Sequence, residues 1–158
     1  MRMRYSLLFG AAALTLASAA SAQNLRIGLA EDPDLLDPHQ ARTFVGRLVF
    51  TALCDKLVDI DENLKIVPRL ATEWTVADDG KTITMKLRQG VTFHDGAPFT
   101  ADDVIFSFER APNVEASPAS FGIYARGKTF VKVDDYTLHV KTAAPYPLMP
   151  NDVSQVFI

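Results

Sequence analysis

The sequence predicts an α/β scaffold, a mixed sheet built from β-hairpins with two helices. Three observations point there. Ile83, Met85 and Leu87 alternate with Thr82, Thr84, Lys86 and Arg88, the period of a half-buried strand. Phe44, Val45, Leu48, Val49, Ala52, Leu53 and Leu57 recur at spacings of three and four, the period of an amphipathic helix. Between Leu87 and Arg110 a strand, a turn, a proline and a capped helix follow one another without slack.

The chain opens with the marks of an export signal. Arg2 and Arg4 give a basic start, Leu7 to Leu16 form a short apolar run, and Ala20-Ser21-Ala22 supplies the small residues of a cleavage site. The apolar run is shorter than the roughly 20 residues a membrane span requires. Residues 1–22 are therefore expected to be a signal peptide, the mature chain starting near Gln23. Leu25 to Leu29 alternates and reads as a first strand. Glu31 to His39 breaks it, because Pro33 and Pro38 lack ladder donors and hold their predecessors extended. The amphipathic helix then spans about Thr43 to Lys56, with Cys54 on its apolar face.

Leu57 to Ile60 suits a short strand. Pro68 to Thr75 leads into a hairpin whose turn is Asp79-Gly80, since glycine accepts positive φ at little cost. Trp74 and Val76 lie on the arm before the turn and pack across it. Asp95-Gly96 marks a second turn. Pro98 and Phe99 lead to Thr100 as N-cap, with Asp102 and Asp103 in the first helical turn, where negative charge meets the positive end of the helix dipole. Thr100 with Asp103 is a capping box with Asp in place of Glu. Ala101, Val104, Ile105 and Phe108 share one face, and the helix should stop by Ala111, before Pro112. Asn113 to Gly127, with Pro118 and Gly122, reads as an irregular excursion. Phe130–Val133 and Tyr136–Lys141 form another hairpin across Asp134-Asp135. Pro145, Pro147 and Pro150 break regularity beyond it.

Composition narrows the function classes. The formal net charge is −3, and about −5 once the two signal arginines leave. Dispersed lysines and arginines in an acidic chain argue against a nucleic-acid or anionic-lipid partner. The mature length, about 136 residues, suffices for one modest core. Cys54 is the only cysteine, so no internal disulfide is available in an oxidising compartment.

No residue grouping calls for catalysis. His94 stands beside Asp95-Gly96 in a turn, without a second His or Cys at zinc spacing. His39 reads as a packing or turn residue, and His139 as a solvated side chain on the polar face of a strand. Asp102 and Asp103 are neighbours on a helix and do not face each other, so capping accounts for them. Asp59, Asp61 and Asn63 lack the Gly and terminal Glu of a calcium loop. The chain is expected to be no enzyme and to need no metal or cofactor.

Several blocks together resemble the extracellular solute-binding proteins of peptide and nickel ABC importers. They are Leu36-Asp-Pro-His39, Leu70-Ala-Thr-Glu-Trp74 before Asp79-Gly80, Leu87-Arg88, Gly90-Val91, Phe93-His-Asp-Gly96, Pro98-Phe-Thr-Ala-Asp-Asp-Val104 and Pro145-Tyr-Pro-Leu148. The resemblance implies the N-terminal part of a two-lobed periplasmic binding protein with an extra inserted α/β domain. Residues 23–43 would form the first strand and loop of lobe I. Residues 44–158 would form the extra domain and the start of a return to lobe I, cut short at Ile158. Members of this family are much longer than this chain.

The same resemblance implies a periplasmic carrier that captures di- and oligopeptides and delivers them to a permease powered by an ATPase, acting as a monomer. Other solutes stay open, namely a nickel chelate, haem, an opine or an oligosaccharide. A secreted hydrolase and a stand-alone interaction domain are rivals from other classes. Nine residues are candidates for solute contact. Glu31, Asp32 and Pro33 follow the first strand, where the family places residues beside the solute. Arg42, Thr43 and Phe44 open the first helix, and a helix N-terminus favours an anion. Phe121, Tyr124 and Arg126 lie in the irregular stretch, within reach of a cleft.

Overall fold

A computed structural model describes residues 25–114 and 121–158. The predicted signal peptide and Pro118 lie outside the described residues. The elements, in chain order, are α1 (Phe44–Leu53), β1 (Val58–Ile60), β2 (Ile66–Pro68), β3 (Ala71–Val76), β4 (Thr82–Leu87), α2 (Ala101–Arg110), α3 (Gly122–Ala125), β5 (Lys128–Asp134), β6 (Thr137–Thr142) and α4 (Met149–Val153). The fold is mixed α/β, as expected.

The main sheet is antiparallel throughout, in the order β3-β4-β6-β5. Both predicted hairpins are present. In the first, Trp74 faces Met85 and Val76 faces Ile83. Its turn puts Gly80 at φ 64°, while the Asp79 carboxylate accepts the Lys81 N–H at 2.8 Å. The second hairpin turns as the Asp134 carboxylate accepts the Tyr136 N–H. β4 and β6 lie in the middle, and their alternation puts Ile83, Met85, Leu87, Leu138 and Val140 on the buried face.

Helix α2 closes that face. Its start is fixed as predicted, the Asp103 carboxylate accepting both the Thr100 N–H (2.8 Å) and the Thr100 hydroxyl (3.0 Å). Val104 and Phe108 are buried with the sheet residues in one cluster, and Phe108 stacks on Phe130 at 4.1 Å between centroids. Burying one such side chain is worth about 1.5–3 kcal/mol, so this interlayer dominates the stability of the fold. A smaller cluster of Ala41, Phe50 and Phe157 joins α1 to the last residues of the chain.

Five local expectations need correction. Residues 25–29 are not a strand, and Leu25 and Ile27 are 84% and 70% exposed. Alternation shows a capacity to pair, and no described segment lies alongside to supply the ladder. Helix α1 ends at Leu53, not near Lys56, because Cys54 is extended (φ −125°, ψ 162°) and serves as C-cap. Cys54 is thus half-buried against the smaller cluster rather than on a helix face, and burial raises its thiol pKa. The proline-rich stretch folds into α4, because Pro150 sits in the first turn, where a missing N–H costs nothing. His139 is half-buried between Thr84 and Val131 on the neighbouring strands, not fully solvated.

Candidate functional site

The loop before α1 is held by two of its own side chains, Asp34 and Thr43. Asp34 accepts the Arg42 N–H at 2.8 Å and the Thr43 hydroxyl at 3.1 Å. The Thr43 hydroxyl also accepts the Gly46 N–H at 3.0 Å, capping α1. The Arg42 amide bond, more than any other contact, holds the Asp34 carboxyl below its ordinary pKa. The anion that a helix N-terminus favours is therefore supplied by the chain itself.

Asp37 and His39 tie the same loop to distant elements. Arg110, in the last turn of α2, grips Asp37 through both carboxylate oxygens, at 3.1 and 2.5 Å. That grip lowers the Asp37 pKa and raises that of Arg110. His39 is only 4% exposed. Its Nδ1 lies 2.9 Å from the Arg110 guanidinium and its Nε2 lies 3.0 Å from the Phe157 carbonyl. A guanidinium only donates, so Nδ1 accepts and Nε2 carries the proton that Phe157 receives. Burial keeps the imidazole below its ordinary pKa, consistent with a neutral ring.

On this frame Glu31, Asp32, Arg42 and Phe44 are exposed, and Pro33 and Thr43 are half-buried. Phe44 shows 76% of its surface, unusual for a phenylalanine opening a helix. Phe121 and Tyr124 stack on each other, with centroids 6.3 Å apart. Arg47, one turn into α1, lies 4.0 Å from the Phe121 ring centre and 4.6 Å from that of Phe157. Helix α1 thus brings the two candidate groups onto neighbouring turns, with Thr43 and Phe44 at its start and Phe121 and Tyr124 beside Arg47. Arg126 is exposed, and its backbone N–H caps α3.

Arg47 and Asp34 escaped the sequence reading. Arg47 is the single charge in an otherwise uncharged helix, a signal that was available. Its burial pushes the guanidinium pKa down. Asp34 had no such signal, because its partners are eight and nine residues away.

Two clefts, of about 480 and 510 Å³, flank Phe157. The first is lined by Cys54, Lys56, Asp59 and Arg69 opposite Phe93 and Phe99. The second lies over the Asp37–His39–Arg110 group and is walled by Leu36, Phe93 and Phe106. None of the nine predicted solute residues lines either cleft. Asp102 pairs with Lys132 at 2.6 Å and Asp103 caps α2, so the two carboxylates act separately. Asp61 accepts the N–H groups of Asn63 and Lys65, closing the turn between β1 and β2. Among the described residues no group of three or more His, Cys, Asp or Glu is placed to hold a metal ion, and no helix is long and apolar enough to cross a membrane.

Comparison with known proteins adds to this geometry. Residues 65–158 match the model of the bacterial extracellular solute-binding proteins, family 5, middle region. The glutathione-binding protein GsiB of Salmonella typhimurium is 32% identical over 146 residues, covering 89% of this chain and 28% of GsiB. The murein tripeptide binding protein MppA of Escherichia coli is 27% identical with a TM-score of 0.70, covering 81% of this chain and 29% of MppA. The binding protein AgaA from A. tumefaciens R10, in complex with agropinic acid, is 31% identical with a TM-score of 0.63, covering 72% of this chain and 23% of AgaA. The chain therefore spans under a third of the length of these relatives. With more than half of its residues matched by the family model, it belongs to the bacterial extracellular solute-binding proteins, family 5.

Proposed function

We propose that this sequence is the N-terminal part of the substrate-binding component of an ABC importer that captures short peptides in the periplasm. The 32% identity to a glutathione-binding protein carries the reading. The likeness to a murein tripeptide binder supports it, since glutathione and that tripeptide are both short peptides. Residues 1–22 direct export, 23–43 belong to lobe I, and 44–158 form the extra domain and the start of the return. Solute is gripped between two lobes that close on it, which makes loaded and empty carriers distinguishable to a permease. Main-chain hydrogen bonds supply affinity and tolerant pockets admit different side chains. No bond is made or broken, and no cofactor takes part.

Within this reading, Glu31, Asp32, Pro33, Arg42, Thr43 and Phe44 form the lobe I wall, on a loop that Asp34, Asp37 and His39 hold in place. Phe121 and Tyr124 act from the extra domain through Arg47, and Arg126 stands at its rim. Calorimetric titration of the full-length protein with glutathione, a dipeptide and a tripeptide tests the function. Binding of at least one is expected. Binding of none, with the protein folded, overturns it. A second reading, an opine as solute, rests on the 31% identity to the agropinic acid binder. It would be established by binding of agropinic acid with no response to any peptide.

A further inference from the structure

The Asp37–Arg110–His39–Phe157 connection is not needed to explain the fold's main core, which lies between α2 and the sheet. It joins three separate parts of the chain: the loop before α1, the last turn of α2, and the segment after α4. It also works in only one protonation state. Arg110 donates to Nδ1 at 2.9 Å, and Nε2–H donates to the Phe157 carbonyl at 3.0 Å. A proton added to Nδ1 would point at a guanidinium. An accepted hydrogen bond would be replaced by two opposed donors and two like charges.

We propose that His39 is an acid-sensitive clasp. Neutral, it locks the loop carrying Glu31–Phe44 to the chain segment around Phe157; protonated, it lets the two part and weakens the hold on solute. The solute clause rests on the function proposed above, whereas the clasp itself does not.

The charged groups around the ring set the direction. Among the described residues, Arg110 faces it from α2 and disfavours the imidazolium. Asp37, on the ring's own loop, favours it but is already bound at both oxygens by Arg110. Asp95, on the turn before α2, and Asp103, at the start of α2, line the cleft beside it. Phe157 offers only an uncharged carbonyl. Burial is the largest influence and lowers the pKa, the Arg110 charge adds to it, and the hydrogen bond to the Phe157 carbonyl opposes both; the folded pKa lies below the ordinary imidazole value. A depressed folded pKa means that the open form binds the proton more readily. The clasp is fully closed above the ordinary imidazole pKa, about 6.5, and is lost progressively as pH falls below it.

Two amides report on the clasp without any solute. Ala41 N–H bonds the Asp37 carbonyl at 2.9 Å, and Ile158 N–H bonds the Asp55 carbonyl at 2.9 Å. The test is hydrogen exchange on the full-length protein between pH 7.5 and 4.5, corrected for intrinsic exchange, with wild type and His39→Gln. Gln keeps a donor and an acceptor without titrating. In wild type, protection of both amides should fall together at least tenfold as pH drops, while amides of the main sheet hold. In His39→Gln the pH dependence should vanish. Nitrogen-15 shifts of the wild-type ring should show the Nε2–H tautomer at neutral pH and a midpoint below that of free histidine, an assignment independent of whether the variant folds. A ring that titrates at the ordinary value, or amides whose protection ignores its titration, overturns the clasp. Where the protein binds glutathione, affinity should weaken about tenfold over the same range, within the usual size of coupling between sites. Glutathione affinity that does not change while the amides open overturns the solute clause alone. If no peptide binds at any pH, the proposed function fails while exchange still decides the clasp.

Discussion

Single residues carry several separable loads. Leu64 is non-glycine at φ 62° and 84% exposed, in the turn between β1 and β2. A left-handed conformation costs an ordinary L-residue about 1–2 kcal/mol, a penalty Asn partly escapes. Leu64→Asn should therefore stabilise the protein by about 0.5–1 kcal/mol, read as a rise in Tm. Lys128 is the opposite case. Its side chain is 3% exposed, its ammonium bonded to Asp152 at 2.5 Å and 4.9 Å from the Tyr146 ring centre, while the Tyr146 hydroxyl donates to Asp152 at 2.9 Å. Lys128→Met leaves Asp152 without its cation in a partly buried place. A loss of about 3 kcal/mol in chemical denaturation is expected, the size seen when one partner of a buried pair is removed. Lys128→Met combined with Asp152→Asn should recover part of it. The sequence announced neither residue, because an ion pair between positions 24 apart leaves no local pattern.

At the scale of elements, the turns and caps were the most legible features. Asp79-Gly80 and Thr100 with Asp103 were readable because their partners lie within three residues. The two glycines that mark the hairpin turn and the pre-helix turn differ in their surroundings. Gly80, at φ 64°, would put a Cβ 3.3 Å from the Cβ of Pro145, whereas Gly96, at φ 89°, meets nothing within 4 Å. Gly96→Ala should lose about 1 kcal/mol from the backbone alone, and Gly80→Ala should lose more, since Pro145 must also shift. Comparing their denaturation midpoints checks the order. Asp103→Ala should cost about 1 kcal/mol as the Thr100 amide loses its acceptor. What the sequence hid at this scale was pairing. Leu25–Leu29 alternates like a strand and stays unpaired, and β2 has only three residues, too few for a period to show. The candidate site was half-legible for the same reason. Thr43 and Phe44 follow from a cap and a period, whereas the meeting of Arg47 with Phe121 is tertiary.

For the whole molecule, protection should follow sheet order. β4 and β6 have neighbours on both sides and their alternate residues are fully buried, whereas β3 and β5 are edges. Native-state hydrogen exchange should find the slowest amides in β4 and β6, with opening free energies near the global value. Faster exchange there than in β3 would mean that the sheet does not form one unit with α2. Phe44 belongs at this scale too, because so exposed a ring contributes little to folding. Phe44→Ala should leave the melting temperature within about a degree or two, as surface changes usually do, and, if the proposed solute site holds, reduce solute affinity in the full-length protein. The junction of α1 with α3 has a further consequence in brine. Lys132 holds Asp102 and Asp135 in the open, where molar salt shortens the reach of charge to about 3 Å. Arg47 is half-buried against two aromatic rings, where mobile ions screen it less than they screen an open pair. Concentrated sodium chloride should loosen the tie between α2 and β5 yet leave the first helix seated, so a column wash that strips surface pairs will not unlatch it.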